Sequence, residues 1–187
     1  GHTMAVFEDK LWLIGGNEEG GIYKNDIWRY DEELEEWTEV TDPAAGAPFS
    51  PRYAHATVVF KNKLWVIGGR LGGTDYANDV WCYDGELEEW TEVTDPATGA
   101  PFSGRYAHTT TVFDNKLWGI GGFDEDYKND VWYSPDGITW TEITDPATGA
   151  PFPGRGSHAV AVFEDKLWLI GGYKGAQNYL GDIWVME

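Results

Sequence analysis

Along the chain, short runs of apolar and β-branched residues alternate with polar turn sequences, and no stretch carries the 3.6-residue spacing of an amphipathic helix. The period is clearest between residues 53 and 104. A first strand is predicted over 53–60, through His55 to Phe60, and a polar turn at Lys61-Asn62 follows it. The second strand, Leu64 to Ile67, is expected to stop at Gly68-Gly69. A loop leads to a third strand, Asn78 to Tyr83, and an acidic turn at Asp84-Gly85-Glu86 leads to a fourth around Glu89 to Val93. A Pro/Gly-rich segment, 95–104, returns the chain to the next copy. Strand-length runs separated by turn chemistry predict an all-β protein made of four-stranded antiparallel meanders.

The period recurs along the whole chain. His2, His55, His108 and His158 fall in register, and the 11 tryptophans occupy three repeat positions. Trp12, Trp65, Trp118 and Trp168 form the first set, and Trp28, Trp81, Trp132 and Trp184 the second. Trp37, Trp90 and Trp140 form the third. A single such sheet leaves both apolar faces uncovered, whereas blades stacked around an axis cover them, so the repeat predicts a β-propeller. One domain is expected over 1–187, with repeats at approximately 1–51, 52–104, 105–154 and 155–187. The last of these four blades lacks its fourth strand.

Three features carry a family resemblance. A double glycine follows the second strand at Gly15-Gly16, Gly68-Gly69, Gly121-Gly122 and Gly171-Gly172. A tyrosine and a tryptophan stand seven residues apart at Tyr30/Trp37 and Tyr83/Trp90. Arginine and histidine lead into the first strand at Arg52/His55, Arg105/His108 and Arg155/His158. In these respects the chain resembles kelch-repeat β-propellers, including bacterial kelch-like repeat proteins. It departs from the pattern at Ser134, which stands where a tyrosine is expected, and in the first copy, which lacks the arginine. Kelch-like propellers often close with an N-terminal strand that completes the last blade. The resemblance therefore leaves three readings, in which the closing strand upstream of Gly1 is absent, is supplied by another chain, or is not needed, and the incomplete terminal blade offers a route to self-association. An unpaired last strand is an edge prone to pair with another chain.

Charge narrows the partners. A net charge of −19 repels phosphate backbones and anionic lipid, so neither nucleic acid nor membrane is expected. Cys82 is the only cysteine, which excludes an intrachain disulfide and a thiolate metal cluster. No cofactor is expected.

The candidate binding residues are Arg52, Arg105 and Arg155, whose planar guanidiniums suit carboxylates or phosphates at the mouth of a kelch-like channel. The competing reading pairs each with a neighbouring acid such as Asp42, Asp95 or Asp145. Tyr53 and Tyr106 offer stacking surfaces beside two of the arginines. Tyr23, Tyr76, Tyr127 and Tyr179 stand in the loops that vary most between copies, where a rigid scaffold carries recognition. His2, His55, His108 and His158 have two readings, a symmetric metal ring or inter-blade hydrogen bonding. The segment Ser134 to Trp140 resembles an Asp-box, one residue short, which implies a stabilised turn and not a catalytic site. No carboxylate or hydroxyl breaks the repeat as a singular reactive group. The expectation is a non-catalytic scaffold for a protein, peptide or glycan. The alternative is a carbohydrate-active enzyme similar to kelch-like sialic-acid epimerases, its arginines holding a sugar carboxylate.

Overall fold

Each repeat opens with a hairpin whose two central residues lie at positive φ: Glu8-Asp9, Lys61-Asn62, Asp114-Asn115 and Glu164-Asp165. This is the backbone of a type I′ turn, whose twist matches that of paired strands and which Asn and Asp tolerate best. The hairpin is closed by the first tryptophan set. Trp12 Nε1 donates to the Phe7 carbonyl at 3.0 Å, and Trp65, Trp118 and Trp168 repeat the bond to Phe60, Phe113 and Phe163.

The computed structural model describes every residue except 43, 45, 146 and 187, and it contains four antiparallel sheets. Blade 1 comprises β1 (Thr3–Phe7), β2 (Lys10–Glu18), β3 (Ile22–Asp31) and β4 (Glu36–Glu39). Blade 2 comprises β5 (Ala56–Phe60), β6 (Lys63–Gly72), β7 (Asp75–Asp84) and β8 (Glu89–Glu92). Blade 3 comprises β9 (Thr109–Phe113), β10 (Lys116–Asp124), β11 (Asp126–Ser134) and β12 (Thr141–Glu142). Blade 4 has three strands, β13 (Ala159–Phe163), β14 (Lys166–Tyr173) and β15 (Tyr179–Met186). Strands neighbour one another in chain order within every sheet. The inner strands β1, β5, β9 and β13 then adjoin in the same order, so the blades fan about one axis as a β-propeller.

Two local expectations give way. The second strand does not stop at the double glycine. A register shift between Ile67 and Gly69 lets β6 and β7 stay paired as far as Gly72 and Asp75, leaving a short tip in place of a long loop. The same shift occurs between Ile14 and Gly16, Ile120 and Gly122, and Ile170 and Gly172. A bulge of this kind keeps strands together while re-aiming them. The first strand also begins later than 53, because Ala54 turns the chain at φ 50° and β5 starts at Ala56.

The core lies between blades. Phe7, Trp12, Ile14 and Ile27 of blade 1 meet Leu64 and Val66 of blade 2, with Phe49 of the linker wedged among them. Phe60, Trp65, Ile67 and Val80 meet Leu117 and Trp140 around Phe102 at the next junction. Ile120 and Val131 meet Leu169 around Phe152 at the third. Each large side chain so buried is worth about 1.5–3 kcal/mol. The same positions are open on the outward face of blade 4, where Phe163 is 60% exposed and Ile183 60% exposed, against 2% for Phe7 and 0% for Ile27.

Candidate functional site

The linker before each of blades 2 to 4 ends in Phe-x-x-Arg, and the structure places these arginines inside the protein. Arg52 is 0% exposed. It donates to both oxygens of Asp79, at 2.6 and 2.7 Å, and to the Gly68 carbonyl at 2.8 Å. Its Nε reaches the Ser50 carbonyl, and its guanidinium lies 5.1 Å from the centre of the Phe49 ring. Arg105 repeats the arrangement on Asp130, Gly121 and Phe102, and Arg155 repeats it on Asp182, Gly171 and Phe152. These are bidentate, charge-assisted pairs. Asp42, Asp95 and Asp145 are not the partners. Each caps its own turn, taking the backbone N–H of Ala44, Ala97 or Ala147 at 2.7 Å. The arginine pair holds the Asp130 carboxyl below its ordinary range against the opposing effect of burial, and Arg155 does the same to Asp182.

The double glycine is the other half of this clasp. Gly16, Gly69 and Gly122 donate their N–H to the carbonyl oxygens of Arg52, Arg105 and Arg155, each at 2.8 Å. A Cβ on Gly68, which lies at φ +60°, would stand 2.9 Å from the Arg105 carbonyl and 3.0 Å from the His108 ring. Each linker arginine therefore grips the preceding blade through its backbone and the following blade through its side chain.

His55, His108 and His158 are buried within these junctions, whereas His2, just before β1, is exposed. His55 Nε2 meets Thr3 Oγ1 at 2.6 Å, and His158 Nε2 meets Thr109 Oγ1 at 2.9 Å. Burial, reinforced by the adjacent arginine, depresses the imidazoles of His55 and His108 to about 3 and that of His158 to about 4. They are neutral at pH 7. Among the described residues no three His, Cys, Asp or Glu side chains converge as a metal-ligand set.

The predicted tyrosines do come together. Tyr23 lies 4.9 Å from Tyr53, Tyr53 lies 6.1 Å from Tyr106, and Tyr106 stacks on Tyr76 at 5.4 Å. Phe123 joins Tyr106 at 5.5 Å and Tyr127 at 4.8 Å. Tyr173 joins Tyr127 at 5.7 Å and Tyr179 at 5.3 Å. The result is a continuous aromatic ridge drawn from all four blades. Most of its rings are half-buried, and Tyr179 at its end is 77% exposed. Burial pushes the phenols of Tyr106 and Tyr127 up, so these two rings are neutral near pH 7. Arg70 sits on it, 6.0 Å from the Tyr53 ring and 5.6 Å from the Tyr106 ring, and donates to the Tyr53 hydroxyl at 3.1 Å.

Arg70, Phe123 and Tyr173 are the ridge members that sequence reasoning missed. All three occupy one repeat position, directly after the double glycine, where blade 1 has Asn17. That shared place next to an invariant landmark was the available signal.

A family profile described as the KLHDC2/KLHL20/DRC7 Kelch-repeats domain matches residues 1–187. This chain belongs to the kelch-repeat family. Relatives with kelch repeats include the leucine-zipper-like transcriptional regulator 1 homolog of Drosophila melanogaster, 30% identical over 143 residues, or 70% of this chain and 14% of that protein. Alpha-scruin of Limulus polyphemus is 34% identical over 127 residues, 65% of this chain and 12% of that protein. Kelch domain-containing protein 10 of Homo sapiens is 27% identical over 137 residues, 71% of this chain and 31% of that protein. The kelch chain thus spans less than a third of the length of these relatives. In kelch terms, the double glycine and the arginine–histidine pair form one inter-blade clasp.

Proposed function

We propose that this kelch-repeat chain is a non-catalytic binding scaffold that presents its aromatic ridge to a protein or peptide partner. The observation that carries this reading is the continuity of the ridge, which joins rings from four blades into one surface on a frame whose linker arginines are spent on inter-blade clasps. A guanidinium that already has a bidentate carboxylate and a carbonyl has little left to offer a sugar acid, which weighs against the epimerase reading. Aromatic rings within a net charge of −19 favour a basic, extended peptide: the field draws cations, and the ring faces that Arg70 leaves uncovered accept them.

The test is selection of random phage-displayed peptides on the purified chain, followed by affinity measurement on Tyr106→Ala and Tyr127→Ala. Basic peptides are expected to be enriched and to bind each variant at least about tenfold more weakly, a difference of roughly 1.4 kcal/mol. Peptides that bind both variants as tightly as the parent would overturn the assignment of the ridge. Turnover of sialic-acid-type sugars by the unmodified chain would overturn the non-catalytic reading.

A further inference from the structure

One place in the aromatic ridge is taken by a cation. Directly after the double glycine, blades 3 and 4 carry rings, Phe123 and Tyr173, and blade 2 carries Arg70. The backbone is alike in all three, for Arg70, Phe123 and Tyr173 form bridges to Tyr53, Tyr106 and Gly156 of their own linkers. Phe123 sets its ring 5.5 Å from Tyr106. The Arg70 guanidinium lies 6.0 Å from the Tyr53 ring and 5.6 Å from the Tyr106 ring, and among the described residues no other cation lies over a ridge ring. A planar cation therefore stands where the neighbouring blades place an aromatic side chain.

Arg70 is held far more loosely than the linker arginines. Those three are buried, each with both oxygens of a carboxylate. Arg70 is half-buried and, among the described residues, forms no salt bridge. Its Nε and Nη2 donate to a single oxygen, the Gly73 carbonyl, at 3.1 and 2.5 Å, and its Nη1 donates to the Tyr53 hydroxyl at 3.1 Å. Neutral acceptors at a solvent-facing tip hold a guanidinium weakly, because water offers it the same bonds. The tip itself does not need this side chain. The Arg70 N–H donates to the Tyr53 carbonyl at 2.9 Å, the Tyr53 N–H donates to the Arg70 carbonyl at 3.1 Å, and Gly72 rests so close to Tyr23 that a Cβ there would stand 3.3 Å from the ring.

We propose that the Tyr53 and Tyr106 rings and the Gly73 carbonyl form a guanidinium seat, filled by Arg70 in the free chain and by an arginine of the peptide partner in the complex. The proposal rests on the ridge as the peptide site and names the side chain that the ridge selects. Two ring faces suit a flat cation, and the Gly73 carbonyl and Tyr53 hydroxyl accept its N–H donors. A lysine ammonium is neither flat nor forked, so it fills such a seat poorly. Capture of an anion by Arg70 is the weaker reading, because the net charge of −19 opposes it and Asp75 pairs with Gly72 at the same tip. Exchange of one guanidinium for another leaves the charge on the rings unchanged. The resident side chain lowers the partner's apparent affinity by the fraction of molecules in which the seat is open, so Arg70 acts as a built-in competitor.

The probes are capped hexa-arginine, hexa-lysine and hexa-glutamate peptides, titrated into the full chain by calorimetry at physiological ionic strength, where attraction to distant acidic groups is screened. Arg70→Ala should bind hexa-arginine at least about fivefold more tightly than the parent does, with a smaller gain for hexa-lysine. Lys174→Ala removes the same charge from an exposed loop residue and should change neither affinity. Adding Tyr106→Ala to Arg70→Ala should cancel the gain. Arg70→Gln, which keeps a planar polar end on the tip, is held to the same result in case alanine loosens the loop. Equal binding of hexa-arginine by the parent and both Arg70 variants would overturn the proposal. So would an equal gain in Lys174→Ala, which would make the effect one of net charge, or an equal gain for hexa-lysine. Hexa-glutamate binding that Arg70→Ala abolishes would assign Arg70 to an anion and overturn it as well. The two readings fail separately. If Tyr127→Ala weakens hexa-arginine while Arg70→Ala gains nothing, the ridge stands and the seat falls, whereas indifference to both Tyr106→Ala and Tyr127→Ala overturns the ridge and the seat with it.

Discussion

Arg105→Ala removes the central clasp and tests whether the linker arginines are structural. The substitution leaves the Asp130 carboxylate without its bidentate partner and the Gly121 carbonyl without its donor, beside a phenylalanine that has lost its stacked cation. Deleting one partner of a buried ion pair costs about 3–5 kcal/mol, because the other charge stays behind unpaired. For a chain of this length each kcal/mol lowers the melting temperature by roughly 2–4 °C. A central loss of about 4 kcal/mol therefore predicts a fall of roughly 8–16 °C, read by circular dichroism at 222 nm with a urea titration alongside. The double variant Arg105→Ala/Asp130→Ala sharpens the test. Removing the stranded carboxylate should recover part of the loss, so the double variant is more stable than the sum of the two single losses. A fall below about 3 °C for Arg105→Ala would refute the clasp. Strict additivity in the cycle would refute the coupling between Arg105 and Asp130.

Acid should destabilise the fold earlier than carboxylate titration alone would bring about. His55, His108 and His158 are depressed from 6.5 to about 3, 3 and 4, so below pH 6.5 the unfolded chain takes up protons that the folded chain refuses. Their contribution is complete above pH 6.5 and is lost as the pH falls towards 4 and 3, at up to about 1.4 kcal/mol per pH unit for each histidine. Melting temperatures at pH 8, 7, 6 and 5 check this, and a flat profile down to pH 5 would contradict it. Substituting two glycines should give opposite results. Gly68→Ala, at positive φ and with the Arg105 carbonyl 2.9 Å from the new methyl, should cost at least about 1–3 kcal/mol in chemical denaturation. Gly119→Ala, with only ordinary contact to Trp140 at 3.5 Å, should be neutral or gain up to about 1 kcal/mol.

The fold was legible because large aromatic side chains repeated in register. A tryptophan at a fixed distance after each hairpin phenylalanine is a local relation, closed by one hydrogen bond within five residues, and a linear reading captures it. The arginine's partner was not legible in the same way. Asp79 lies 27 residues from Arg52 on β7, while Asp42 stands much nearer in the chain and has the same chemistry. Only the packing of a linker across its own blade chooses between them. The tyrosines were legible as candidates, but their union was not. It depends on the bulge that carries β2, β6, β10 and β14 past the double glycine and turns the following side chains towards one another. Arg70, Phe123 and Tyr173 differ chemically, so a search for identity between copies passed over the one position that completes the ridge.

The clasp has a consequence for how such a chain changes length over evolutionary time. The stretch from residue 53 to residue 105 contains the Asp79 and Gly68 that receive one arginine, and it ends on Phe102 and Arg105, which plug into the next blade. Such a cassette carries both genders of the connector. Duplicating it in frame adds a blade whose two junctions are already written, and deleting it rejoins flanking blades through the same joint. Blade number is free to drift by unequal recombination between near-identical copies, with no compensating mutation required at any seam.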